Sequence, residues 1–230
     1  MSDTTETLTA DRPLSGVPSR PVAVMRSPII ARHRQLGATF AIEDGWEVPR
    51  HYEDVERERM AIREGLAIAD ITARGKIDIR GRIDSALASL PQTRGATLAR
   101  ISRNWALVLT PAASLADSLA LLTTAASRDT TVTDATSIYA GIALLGARVP
   151  DLLSRLITAN PHRLLHGECL ATQLLRIPAI LLGRELPFTV VEVYVPSEFA
   201  SYAWDAIFRA AHPLGSEAAG IEALRAQGWR

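Results

Sequence analysis

The chain has 230 residues, 47% hydrophobic and 22% charged, an ordinary balance for a soluble globular protein and enough length to bury a sizeable core as one large or two small domains. Its 25 Lys and Arg residues equal its 25 Asp and Glu residues, so it lacks the cation excess that nucleic acid or an anionic membrane would reward. The single cysteine, Cys169, excludes an intrachain disulfide, and no apolar run approaches the roughly 18 residues a membrane span needs.

Residues 1–25 are polar, rich in Thr, Ser and Pro, and without periodicity. They read as a flexible arm, with neither the basic start nor the apolar core of a signal peptide, and a cytoplasmic location is expected. Residues 26–230 form the folded unit. A short helix is expected through Ile29, Ile30, His33 and Leu36, and then a turn at Asp44-Gly45 leading to Trp46 and Pro49. Between Tyr52 and Leu66 the apolar Val55, Met60, Ala61, Ile62 and Leu66 oppose a charged face that includes Glu53, Asp54, Glu56, Arg57, Glu58 and Arg59. That pattern predicts an amphipathic helix, with acids in its first turn, Arg63 in its last and Gly65 as its stop.

A strand over Leu66 to Ile71, a turn at Ala73-Arg74-Gly75 and an alternating strand from Lys76 to Arg80 come next. Lys76 is the only lysine. A helix from Ile83 to Leu90 is expected to stop at Pro91, followed by strands at Ala96 to Ile101 and Trp105 to Leu109 joined at Arg103-Asn104. Ser114 is placed to cap a helix through Leu115, Leu119, Leu122 and Ala126. Thr131 to Thr136 is β-branched, and Ile138 to Leu145 is apolar enough for a strand buried on both faces. Pro150 opens a helix over Leu152 to Ile157, and strands are expected from Glu168 to Arg176 and from Ala179 to Gly183, divided at Pro178.

From Phe188 to Val195 the side chains alternate: Val191, Val193 and Val195 make an aliphatic face, while Val190, Glu192 and Tyr194 make a mixed one. Ser197 is expected to cap a helix from Phe199 to Ala211, with Phe199, Tyr202, Ala203, Ile207 and Phe208 as its buried side, and a short helix spans Ile221 to Ala226. The interspersed hairpins and the lack of a glycine-rich phosphate loop predict an α+β fold with largely antiparallel sheets.

The order GWEVPRHY, acidic helix, ADIT and GKIDIRG over residues 45–81 resembles the start of the folate-binding region of the aminomethyltransferase family, which includes the glycine-cleavage T-protein. NWALVLTPAA, YAGIALLGARVPDLLSRL and FTVVEVYVPSEFASYAWDAIFRAA resemble later segments of that family, so that the likeness runs over about residues 28–225. The resemblance implies intertwined sheet-and-helix layers, here without the C-terminal barrel domain of the full enzymes. It also implies a tetrahydrofolate cofactor and one-carbon chemistry. By alignment with the family, Glu192 falls on the glutamate that accepts hydrogen bonds from the pterin's amino-pyrimidine edge, as a two-oxygen acceptor suits. Thr110 stands where the family has an asparagine, Arg74 where it often has a methionine on the pterin, and Arg225 near an arginine at the end of the folate domain.

The departures concern catalysis. Residues 82–104 are too few to hold the family's hairpin N-x-x-G-G-I-x-D-D, whose aspartate serves as the charge-stabilising or acid–base group, so no catalytic residue is assigned. The family's loop R-x-G-Y-T-G-E-D-G is reduced to residues 183–187, Gly-Arg-Glu-Leu-Pro. The expected function is a T-protein-like folate binder with weak or no transferase activity alone. The alternative is a non-catalytic subunit, since the short form also resembles the gamma subunit of heterotetrameric sarcosine oxidase. The partners implied are a folate one-carbon carrier and either a larger flavoprotein or glycine-cleavage-type subunits.

Elsewhere, His33, His51, His162, His166 and His212 show no metal-ligand spacing, and Asp70 is expected to orient the turn after its strand. Asp117 and Asp205 read as solvated helix-face residues, and Trp46, Trp105, Trp204 and Trp229 as packing residues.

Overall fold

The computed structural model describes residues 23–93, 95–184 and 186–229. The expected arm falls largely outside them, but Met25–Arg26, at its border, is already the first strand, β1. The remaining strands are β2 (Thr39–Glu43), β3 (Trp46–His51), β4 (Ala67–Asp70), β5 (Gly75–Gly81), β6 (Thr97–Ser102), β7 (Trp105–Thr110), β8 (Thr130–Asp134), β9 (Tyr139–Leu145), β10 (Cys169–Leu174), β11 (Ile177–Arg184), β12 (Val190–Pro196) and β13 (Glu217–Ala219). The helices are α1 (Ile30–Gln35), α2 (Val55–Glu64), α3 (Asp84–Leu87), α4 (Leu115–Ala125), α5 (Val149–Leu156), α6 (Ala200–Ala211) and α7 (Ile221–Ala226).

The strands make three sheets, ordered β10-β11-β12-β9-β4-β13, β6-β7-β5-β8 and β1-β3-β2. Pairing is antiparallel except for β1 with β3 and β13 with β4. The two larger sheets face each other because alternate residues of their strands serve two cores. Leu107 and Leu109 of β7 join Ala143, Leu145, Val190 and Tyr194 in the layer between the sheets. Ile77, Ile79, Ala106 and Val108 turn outward beneath α3 and α4. On the far side of the six-stranded sheet, Val191, Val193 and Val195 pack with Leu152 and Leu153 of α5 and with Trp204 and Ile207 of α6. Burial of each large apolar side chain there contributes about 1.5–3 kcal/mol.

The layers are intertwined by two crossings. The chain leaves the six-stranded sheet after β4 and enters the four-stranded one at β5; it returns between β8 and β9. Lys76 pins both crossings. Its fully buried Nζ donates to the carbonyls of Thr72 (2.7 Å), Arg74 (2.8 Å) and Thr136 (3.2 Å), while its own amide donates to Thr136 Oγ1 at 3.1 Å. All three ammonium hydrogens thus find carbonyls, and burial pushes the group down to about 7.

Several local expectations are corrected. In α2 the buried stripe runs through Glu58, Ala61 and Ile62, while Met60 is 55% exposed. Three-residue spacing from Val55 falls on Glu58, whose carboxylate accepts from the amides of Tyr52 (2.6 Å) and Gly220 (2.8 Å). Phe199, just before α6, and Tyr202 within it are exposed, and Ala200, Ala203, Trp204 and Ile207 form the inner stripe; Ser197 does not cap the helix but donates to the Ser137 carbonyl at 2.7 Å. The division between β10 and β11 lies at Leu175-Arg176, both with positive φ (50° and 72°), and Pro178 sits exposed inside β11. Neither turn residue is a glycine or asparagine, which hid the hairpin. Ser114 precedes α4 without a side-chain cap bond, and Pro91 lies within a 3-10 turn, Leu90–Gln92, beyond a shorter α3. The Asp44-Gly45 turn is present and closes a β2–β3 hairpin with Glu43 opposite Trp46.

Candidate functional site

The alternation of β12 places Glu192 on the face it shares with Val190 and Tyr194, between the two large sheets. It is fully buried. Arg74 reaches it from the first crossing and donates from Nη1 to Oε1 at 2.6 Å. Arg184, from the end of β11, donates from its own Nη1 to the same oxygen at 2.6 Å, and the Tyr194 hydroxyl donates to Oε2 at 2.6 Å. Arg74 is only 8% exposed. Burial alone would lower its guanidinium; the Glu192 carboxylate outweighs that and holds it above the usual arginine range. The Tyr194 phenol is pushed well up by burial and by the same carboxylate.

Gly75 follows Arg74 and pairs in register with Thr110 at the end of β7. The approach is close: a Cβ on Gly75 would lie 2.5 Å from Thr110 Oγ1. Thr110 is fully buried, and its hydroxyl has no hydrogen-bond partner among the described residues. Arg74 and Arg225 both line one pocket of about 160 Å³ with Val48, Ala73, Ile221 and Trp229. Arg225, on α7, is exposed and forks onto Glu43 at the pocket mouth, with Nη1 to Oε1 at 2.8 Å. Trp229 covers the arginines, its ring centroid 5.9 Å from the guanidinium carbons of both Arg74 and Arg184.

Arg74 thus bonds Glu192 and shares a pocket with Arg225, while Thr110 lies opposite Gly75, the residue that follows Arg74. Arg184, Tyr194 and Trp229 belong with them and were missed. The period-two alternation already put Tyr194 on the face of Glu192; nothing local in the sequence marks Arg184 or Trp229. The arrangement is a closed ionic cluster: two cations and a hydroxyl occupy three of the four lone-pair positions of one carboxylate.

A second buried network lies apart from it. His33 bridges Asp70, with Nε2 to Oδ2 at 2.9 Å, and the Tyr52 hydroxyl, 2.9 Å from Nδ1, under the edge of Trp204. Asp70 Oδ1 accepts from the Thr72 amide at 2.8 Å, orienting the turn as expected. Burial alone would raise the Asp70 carboxyl, but the His33 bond outweighs it and holds the group below its usual value. Asp205 is not simply solvated: Arg32 forks onto it at 2.8 and 2.7 Å. Burial raises the half-buried Cys169 thiol to about 11, so that it stays protonated. Among the described residues no group of three His, Cys, Asp or Glu side chains could hold a metal ion; the side chain of His166 lies outside those described. Among the described residues no helix is long and apolar enough to cross a membrane.

Residues 93–227 match the GCVT N-terminal domain family, which is more than half of the chain. The chain belongs to that family. The match begins after the 45–81 stretch in which the resemblance was densest. A probable aminomethyltransferase of Aeropyrum pernix is 48% identical over 44 residues, 19% of this chain and 12% of that protein. The aminomethyltransferase of Acidobacterium capsulatum is 35% identical over 57 residues, 25% of this chain and 15% of that protein. These matched segments are thus a small part of the relatives' length. The glycine cleavage system aminomethyltransferase T of Bartonella henselae superposes with a TM-score of 0.71 at 16% identity, over 89% of this chain and 62% of that one. A chain of the heterotetrameric sarcosine oxidase of Corynebacterium sp. U-96, in complex with pyrrole 2-carboxylate, superposes at 0.61 with 13% identity, over 84% of this chain and 97% of that one. At such identities the superpositions establish a shared GCVT-type fold.

Proposed function

We propose that this GCVT-type chain is a non-catalytic, gamma-type subunit of a sarcosine oxidase-like flavoenzyme assembly. The observation that carries this role is the closure of Glu192. A pterin would need its carboxylate as a free acceptor, and here Arg74, Arg184 and Tyr194 donate to it within 2.6 Å. To bind folate in that way, the cluster would have to release a buried carboxylate from two cations, an exchange that costs several kcal/mol at about the scale of broken buried ion pairs.

Two further features agree. Residues 82–104 hold α3, the 3-10 turn and β6, and a segment so occupied, with no counterpart of the family's aspartate hairpin in its sequence, supports a role without the transfer step. Ile138, Phe199 and Tyr202 are exposed apolar side chains on adjoining segments, the Ser197 amide donating to the Ile138 carbonyl at 2.9 Å; such a patch suits burial against a larger partner. Folate binding with weak transferase activity is the second reading, favoured by family membership and by the pocket that Arg74 and Arg225 share, Arg74 being bonded to Glu192.

The test is affinity purification of the tagged chain from its native host. The subunit role predicts a stoichiometric assembly with larger polypeptides that carry flavin absorbance. A monodisperse monomer without flavin would overturn it.

A further inference from the structure

The cluster around Glu192 holds one more cation than anion. Arg74 and Arg184 bring two positive charges to a single carboxylate, and Arg74 uses only Nη1 for it. The other edge of its guanidinium, Nε with Nη2, is buried and has no hydrogen-bond partner among the described residues. That edge is the planar fork that binds carboxylates in a bidentate manner, as Arg32 does with Asp205 in this same chain. A buried donor pair left open is costly, and a monoanion would satisfy both its hydrogen bonds and its excess charge.

We propose that Arg74 is the binding group of a site for small aliphatic monocarboxylates, in the pocket of about 160 Å³ beneath Trp229. A pocket of that volume has room for a short-chain carboxylate such as propionate. Its walls suit a short apolar tail, since Val48, Ala73, Pro111, Ala112, Ile221 and Trp229 contribute to them. The carboxylates that also line the pocket do not fill the fork: Glu43 is held by Arg225, and Asp44 is exposed at the rim. A dianion such as phosphate would overfill the single excess charge. Both fork nitrogens are sealed from solvent, so a side chain must shift to admit the ligand, and Trp229, its ring centroid 5.9 Å from the Arg74 guanidinium carbon, is placed to do so.

The test titrates the intact chain with propionate against chloride at constant ionic strength, read by saturation-transfer NMR on the propionate methyl and by the thermal midpoint. Wild type is expected to show saturable transfer and a midpoint that rises with propionate but not with chloride. Arg74→Lys keeps a cation against Glu192 but loses the fork, and is expected to bind about tenfold more weakly or worse. Equal responses to propionate and chloride, or undiminished binding by Arg74→Lys, would overturn the site. Should Arg74→Lys not fold, Trp229→Ala decides: it must shift preference from propionate toward hexanoate, and an unchanged preference overturns the site equally. A negative result leaves the subunit role untouched, because that rests on the partners of Glu192 and is read by co-purification.

Discussion

Arg74 and Glu192, 118 positions apart in sequence, meet at 2.6 Å in the layer between the two large sheets. The bond ties the first inter-sheet crossing to β12, so the same contact that closes the cradle also fastens the two halves of the fold. Glu192→Ala leaves two arginine cations around a vacated space and is expected to cost roughly 3–5 kcal/mol. Urea unfolding would measure this. Adding Arg74→Met to Glu192→Ala should recover part of the loss, giving a non-additive cycle.

Lys76 makes stability depend on pH in an unusual direction. Its folded value, about 7, lies below the ordinary 10.5, so the unfolded chain binds the extra proton between those limits. Stability therefore falls as pH drops from about 10.5 to about 7 and is flat, for this group, below that. Lys76→Met should abolish this slope and, by removing the two N–H donors of the neutral amine from buried carbonyls, destabilise the alkaline protein by about 1–3 kcal/mol. Unfolding free energies measured across that range would check both parts.

Asp70 acts in the same direction, but at acid pH. Its folded value is depressed below 3.8 by His33, so its contribution is complete above that pH and is lost as pH falls through the folded value. Asp70→Asn is expected to lower stability at neutral pH and to weaken the acid limb of the profile. Acid titrations of the two proteins by circular dichroism would compare those limbs.

Gly75→Ala would put a methyl group 2.5 Å from Thr110 Oγ1 and 2.9 Å from Leu115 Cδ1. Overpacking of this kind costs about 1–3 kcal/mol. Because the Thr110 hydroxyl has no partner to lose, Thr110→Ala should relieve part of the penalty when combined with Gly75→Ala. Thermal midpoints of the single and double variants would show it.

Much of this architecture was legible because local rules and the fold agree. The Asp44-Gly45 turn, the alternation of GKIDIRG and the aliphatic face of Val191, Val193 and Val195 each have a short-range signature, and the helix of residues 200–211 followed its apolar pattern in all but Phe199 and Tyr202. Glu58 was misread because a buried carboxylate that caps two amides has the same letter as a solvated one. Leu175-Arg176 was missed because the turn holds positive φ without glycine. Of the candidate site, the resemblance pointed separately to Glu192 and Arg74, but the three donors to one carboxylate come from β11, β12 and a crossing, and only the folded sheet brings them together.

Titration of the isolated chain with tetrahydrofolate by calorimetry tests the closure of Glu192 most directly. With Arg74, Arg184 and Tyr194 holding the carboxylate, wild type and Glu192→Gln should both give no saturable heat. Saturable binding by wild type that Glu192→Gln abolishes would contradict it.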